Sequence, residues 1–138
     1  MDEDKINKLP PDVKKQFIKY ALKLSEKKKK TKVNDDFLTF VKHVWPEFIE
    51  GKHHKEIADK FNDIANKKIK RLIINMPPRH TKSEFASFLL PAWMVGRRPN
   101  LKIIQTTHTT ELAIRFGRKA KTLMDSQEYK EVFDTRLR

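Results

Sequence analysis

Cysteine is absent from this 138-residue chain, which excludes disulfides and thiolate metal sites alike. No apolar run approaches the roughly 20 residues needed to span a bilayer, and no secretory apolar stretch follows the charged N-terminus, so the chain reads as soluble and intracellular with no membrane partner. Glycine is scarce, with three residues at Gly51, Gly96 and Gly117, so any tight loop elsewhere must turn without one. Acid is also in short supply: 18 Asp and Glu against 31 Lys and Arg leave a net charge of +13, which points to a polyanionic partner. Hydrophobic residues make up 38% of the chain, enough for one core of modest size.

What is present concentrates in residues 70–83, Lys-Arg-Leu-Ile-Ile-Asn-Met-Pro-Pro-Arg-His-Thr-Lys-Ser. A short apolar strand runs into a tight loop that ends in Lys82-Ser83, the build of a phosphate-binding loop. There, successive amides and the start of a helix cradle phosphates, Lys supplies a point charge and Ser or Thr ligates Mg²⁺. The strict pattern asks for Gly where this chain has Met76 and Thr81. Thr81 is β-branched and resists positive φ, so the loop either turns with an ordinary backbone there or bears roughly 1–3 kcal/mol of strain. Pro77 and Pro78 carry no N–H, so the phosphate-facing donors are expected from Arg79, His80, Thr81, Lys82 and Ser83. A solvated turn between a strand and a helix is the simpler alternative.

The flanks set the fold expectation. Leu72, Ile73 and Ile74 form a continuous apolar run of the kind buried on both faces of a parallel sheet. Phe85, Phe88, Leu89 and Trp93 then recur at near-helical spacing, Pro91 is expected to kink or end that helix, and residues 96–100 to close it as a turn. Leu101 to Thr107 reads as a second strand. Strand, crossover helix and parallel strand make a βαβ unit, so the fold class expected is α/β, a partial P-loop NTPase parallel-sheet core preceded by helices.

Three regions follow. Residues 1–34, with eleven Lys, five acids and no Arg, form a basic helical extension whose lysine run Lys27 to Lys30 is either a solvated tail or a salt-sensitive contact with nucleic acid. Residues 35–69 read as two helices, striped by Phe37, Phe40, Val41, Val44 and Trp45, then by His54, Ile57, Ala58, Phe61, Ile64 and Ala65. Residues 70–138 begin the ATPase core. The adjacent His53 and His54 point about 100° apart on a helix and lack a carboxylate or third His at ligand spacing, which argues against zinc.

Taken together, Trp45-Pro46-x-Phe48, Gly51-x-His53-His54-x-x-Ile57-Ala58 and the 71–84 segment, continued by Pro91-Ala92-Trp93, Gly96-Arg97, Leu112-Ala113, Phe116-Gly117-Arg118 and Glu128-Tyr129-x-x-Val132-Phe133, resemble the N-terminal part of the large terminase subunit of tailed bacteriophages. The resemblance covers about residues 35–138. It implies an ATPase that drives double-stranded DNA through a portal protein into a procapsid, works as a homo-oligomeric ring with a small terminase subunit, and carries an endonuclease in its full-length form. The place implied is the host cell cytoplasm and, transiently, the procapsid portal. By resemblance, ATP and Mg²⁺ are the cofactors, Lys82 and Ser83 take the phosphate and Mg²⁺ roles, Arg79 lies near the γ-phosphate as a catalytic sensor, and His54 sits beside the base. Arg118 is a candidate to face a neighbouring subunit, with Arg115 equally placed.

Hydrolysis also needs a second acidic centre, an apolar strand ending in Asp-Glu. Nothing after Ser83 supplies it, so the chain is expected to be an N-terminal fragment that binds ATP weakly and turns it over negligibly. Another P-loop motor, helicase-like or a plasmid-partition ATPase, would use the same strand and loop. A non-enzymatic basic module that binds nucleic acid is the third reading, and would be indifferent to Lys82 beyond one phosphate contact.

Overall fold

The computed structural model describes residues 10–133, and within them the regular structure is helical throughout. The chain divides into two compact units, Met1–Thr31 and Lys32–Arg138. The described part of the first, residues 10–31, is the largely exposed body of α1 (Pro11–Asp35), whose last residues belong to the second unit; the helix opens on a proline with Asp12 in its first turn. Proline at a helix start costs no hydrogen bond, and an acid there suits the helix dipole.

In the second unit, Asp36 ends α1 and caps α2 (Phe37–Val44), accepting hydrogen bonds from the Thr39 amide at 2.7 Å and hydroxyl at 2.6 Å. Asn62 of α3 (Lys52–Ala65) donates to the same carboxylate at 2.8 Å and accepts the Phe37 amide at 2.9 Å, so the cap also fixes α3 against α2. Burial of Asp36 opposes its ionisation, yet the bonds from Thr39 and Asn62 outweigh it and hold the carboxyl below the ordinary range.

A continuous helical run follows the 77–81 loop. A π-helical turn (Glu84–Leu89) passes directly into α4 (Leu90–Arg97), and the Leu90 amide donates to the Phe85 carbonyl. Pro91 explains the widening: it has no N–H for the Ser87 carbonyl four residues back, and its ring crowds that carbonyl. The Gln105 side-chain amide takes the vacated acceptor at 3.1 Å. The helix therefore bulges at Pro91 and continues to Arg97, with the turn at Pro99 and Asn100 closing it. After a connecting stretch come α5 (Thr110–Asp125) and α6 (Gln127–Val132), each capped by a hydroxyl, Thr109 and Ser126.

The core sits where α2, α3, the π-turn, α4 and α6 converge. Phe37 is its hub, with ring centroids of Phe61, Phe85 and Trp93 at 5.2, 5.5 and 5.4 Å in edge-to-face arrangements. Such pairs add about 0.5–1.5 kcal/mol each beyond their buried area. The Trp93 indole N–H reaches the Val33 carbonyl at 3.2 Å, and the buried Tyr129 hydroxyl donates to the Ala92 carbonyl at 2.8 Å. Burial pushes that phenol well above its ordinary range. At Gly96 an added Cβ would lie 2.6 Å from the Phe133 ring and from the Tyr129 hydroxyl, so α4 meets α6 only because that position has no side chain.

The expected parallel sheet is not formed, and the α/β P-loop core is corrected to an all-helical arrangement among the described residues. Both strand-like segments are present as sequence but lack a ladder. Leu72, Ile74 and Met76 pack against the helices while Ile73, between them, is 85% exposed. Ile104 in the second segment is 91% exposed. The apolar run at 72–74 is thus covered on one side only, and a strand is defined by the hydrogen bonds of a neighbour, which these segments do not give each other. Among the described residues no helix is long and apolar enough to cross a membrane.

Candidate phosphate-binding loop

The loop takes its shape from two residues in the left-handed region, Arg79 at φ 65° and Thr81 at φ 58°. For a β-branched residue such as Thr81 this conformation costs of order 1–3 kcal/mol and persists only where the surroundings over-determine it. The surroundings do so through one chain of hydrogen bonds. The Gly51 amide donates to His54 Nδ1 at 2.9 Å, which places the ring proton on Nε2. Nε2–H then donates to the Thr81 hydroxyl at 2.7 Å, and that hydroxyl donates to the His80 carbonyl at 2.7 Å. Every donor in the chain is used. His54 is 6% exposed and packs on Phe48 and Phe85 with centroids at 4.8 and 5.2 Å, so its ring lies beneath the loop and braces it, where the resemblance implied a place beside the base.

The chain of bonds requires neutral His54, because Nδ1 faces a donor. Burial first, and then the charge of His53, hold its pKa below the ordinary imidazole value, with Glu50 pulling the other way and His80 adding to the depression. The sign of the linkage follows. In the unfolded chain His54 titrates near 6.5. As pH falls through that value the unfolded state takes up the proton first, so the stability His54 contributes is complete above it and is lost as pH falls toward the lower native value. Urea unfolding at pH 8 and pH 5.5 is expected to show the chain weaker at pH 5.5, with that difference reduced in His54→Asn. An equal difference in the variant would contradict the assignment.

From Thr81 the helix begins. The Phe85 amide bonds the Thr81 carbonyl at 3.0 Å, which leaves Lys82, Ser83 and Glu84 as first-turn residues whose amides have no helical acceptor. Lys82 Nζ folds back across the loop to the Met76 carbonyl at 3.3 Å, a long and weak bond. Residues Pro77 to Glu84 together line a hollow of about 310 Å³. Arg79 and His80 are exposed, with His80 Nδ1–H donating to the Pro78 carbonyl at 2.9 Å. Ser83 is exposed and its hydroxyl makes no hydrogen bond among the described residues. Glu84, at the edge of the hollow, is held by both carboxylate oxygens at 2.8 Å from Lys119 Nζ of α5. That tie joins the loop to α5 and was not visible from spacing, since 35 residues separate the partners.

Other residues singled out by sequence lie elsewhere. Arg115 and Arg118 line a separate groove of about 830 Å³ along α5, with Phe88, Ile114 and Leu123 as its apolar wall. His53 stacks on His54 at 3.8 Å and lies 5.7 Å from His80, yet among the described residues no group of three or more His, Cys, Asp or Glu is arranged to hold a metal. An Mg²⁺ ion here would be held by Ser83 and by the oxygens of a phosphate, which suits an ion that keeps several of its waters. No protein family, curated protein or solved structure matches the chain.

Proposed function

We propose that residues 79–83 hold the phosphate chain of ATP with Mg²⁺, and that the chain is the nucleotide-binding part of a DNA-packaging motor of the large terminase kind. The observation that carries the reading is Thr81, fixed in a left-handed conformation beside a hollow onto which a lysine ammonium and the start of a helix converge. Strain held by a buried histidine, next to the first-turn amides of Lys82, Ser83 and Glu84 that have no helical acceptor, supports an anion as the ligand. The cradle needs a helix start and consecutive amides, not a sheet.

In this reading the amides of Lys82 and Ser83 hold phosphate oxygens, Lys82 leaves the Met76 carbonyl to neutralise charge, and Ser83 ligates the metal. Arg79, exposed on the loop, reaches the terminal phosphate. Mg²⁺ would bridge phosphate oxygens and lower the charge that the loop must meet. Turnover by these residues is expected to be negligible, because the acid at the hollow, Glu84, is committed to Lys119. Duplex DNA, a portal ring, a small terminase subunit and further copies of the chain are the partners of such a motor, acting in the host cytoplasm and at the procapsid portal.

Calorimetric titration tests the reading. With Mg²⁺ present, ATP and ADP are expected to bind and AMP to bind at least tenfold more weakly, since AMP lacks the β-phosphate. Equal binding of all three would remove the phosphate chain from the site.

A further inference from the structure

The described part of the first unit, residues 10–31, carries eight lysines against Asp12 and Glu26. Four of these lysines, Lys15, Lys19, Lys23 and Lys27, recur every fourth residue of α1, and Lys30 falls within the same arc. On an α-helix that spacing makes one ridge about 18 Å long, with neighbours about 6 Å apart. All are exposed, and none of the four ammonium groups forms an ion pair or hydrogen bond among the described residues. Like charges at this spacing repel one another along the helix. Asp12 and Glu26 fall within the same arc and offset two of its five lysine charges, so the ridge keeps a net positive charge that a regularly spaced polyanion would relieve.

Two polyanionic surfaces compete for such a helix, a nucleic-acid backbone and an anionic membrane. A membrane-surface helix needs a single apolar face to immerse. Here Val13, Phe17, Tyr20 and Leu24 fall on one side while Ile18 and Leu22 lie roughly 150° around the axis. Exposed apolar residues thus stand on both sides of α1, Ile18 and Leu22 among them. An orientation that immerses both sets leaves the ridge in water but takes Lys14, Lys28 and Lys29, which lie between or beside them, into the membrane surface.

We infer that the Lys15, Lys19, Lys23 and Lys27 ridge of α1 is a docking surface for the phosphate backbone of duplex DNA, read by charge and not by sequence. α1 places no arginine on the ridge, so it presents point charges and not the planar fork that favours bidentate recognition. The choice of duplex DNA rests on the proposed motor function; the ridge itself does not depend on the nucleotide loop.

The test is fluorescence anisotropy of a labelled duplex of mixed sequence, titrated with the full chain between 50 and 200 mM KCl. Each phosphate contact adds a slope of about −0.9 in log K against log salt. The quadruple variant Lys15→Gln, Lys19→Gln, Lys23→Gln, Lys27→Gln is expected to lose three to four units of that slope, while the matching Lys→Arg variant keeps it. Gln and Arg are both good helix formers, so loss in the first with retention in the second reports charge and not unfolding. Lys82→Ala is expected to leave the slope within about one unit. An unchanged slope in the Gln variant would overturn the inference, as would loss of binding to phosphatidylserine vesicles with duplex binding intact. Equal loss of slope in both ridge variants would overturn it too. None of these failures touches the calorimetric comparison of ATP with AMP, so the two proposals fail separately.

Discussion

Replacing Lys82 with Ala is expected to weaken MgATP binding by about 10- to 100-fold while leaving the chain as stable as before. The first half follows from the value of a hydrogen bond to a charged group, about 1.5–3 kcal/mol, which converts to that range of affinity at 1.4 kcal/mol per decade. The second half follows from what Lys82 does without a ligand. Its one bond, to the Met76 carbonyl, is 3.3 Å long, and the side chain is half-exposed. Its loss should fall within the ±0.5 kcal/mol typical of surface substitutions. Lys82→Arg is expected to restore binding only in part, since a longer planar guanidinium does not put a compact point charge where the ammonium reaches. Calorimetry with MgATP and urea unfolding on the same samples check the two halves together. Unaltered affinity in Lys82→Ala would detach the ammonium from the phosphates.

Phe85→Ala is expected to give the largest loss of stability, about 3–5 kcal/mol, the range for deleting a buried aromatic ring. Phe85 is fully buried in the second turn after the loop, with Phe37 and Phe48 each at 5.5 Å and His54 at 5.2 Å. Its backbone amide also closes the first helical bond onto Thr81. The cavity would open directly beneath the His54 brace. A domain of this size has about 5–15 kcal/mol in all, so a substantial unfolded fraction at 37 °C is expected. Phe85→Leu, which refills most of the volume, should lose less than half as much. Urea midpoints for the two variants check this, and equal losses would show that ring volume is not what supports the loop.

The helices were legible because their signals are local. Pro11 and Asp12 open α1, and the stripes Phe37, Phe40, Val41 and Ile57, Ala58, Phe61, Ala65 bury the faces their spacing predicts, whereas the Asp36 cap of α2 was not read. Pro91 was readable as a disturbance but not as a π-turn, because what lets the helix continue is Gln105, distant in sequence, taking the Ser87 carbonyl. The strands were misread for a related reason. Leu72 to Ile74 and Leu101 to Thr107 have strand composition, but composition cannot supply the neighbour that turns an extended segment into a sheet.

At the loop, the absence of glycine correctly marked Thr81 as the position of strain, and the structure shows that the chain bears that strain and does not avoid it. The brace was missed. Its local signal was available: a His three residues after Gly51 stands where a capping side chain accepts the amide at the head of the helix. Fixing Nδ1 in that way leaves Nε2–H to be spent elsewhere, and only the fold could show that it is spent on Thr81.

The most direct measurement is an amide-resolved NMR titration of the ¹⁵N-labelled chain with MgATP. If the loop holds phosphates, the amides of Arg79, His80, Thr81, Lys82, Ser83 and Glu84 shift together along one saturable curve, with those of α1 unmoved. Shifts confined to the α1 lysines, or none between residues 79 and 84, would show that the nucleotide is held by charge alone or not at all.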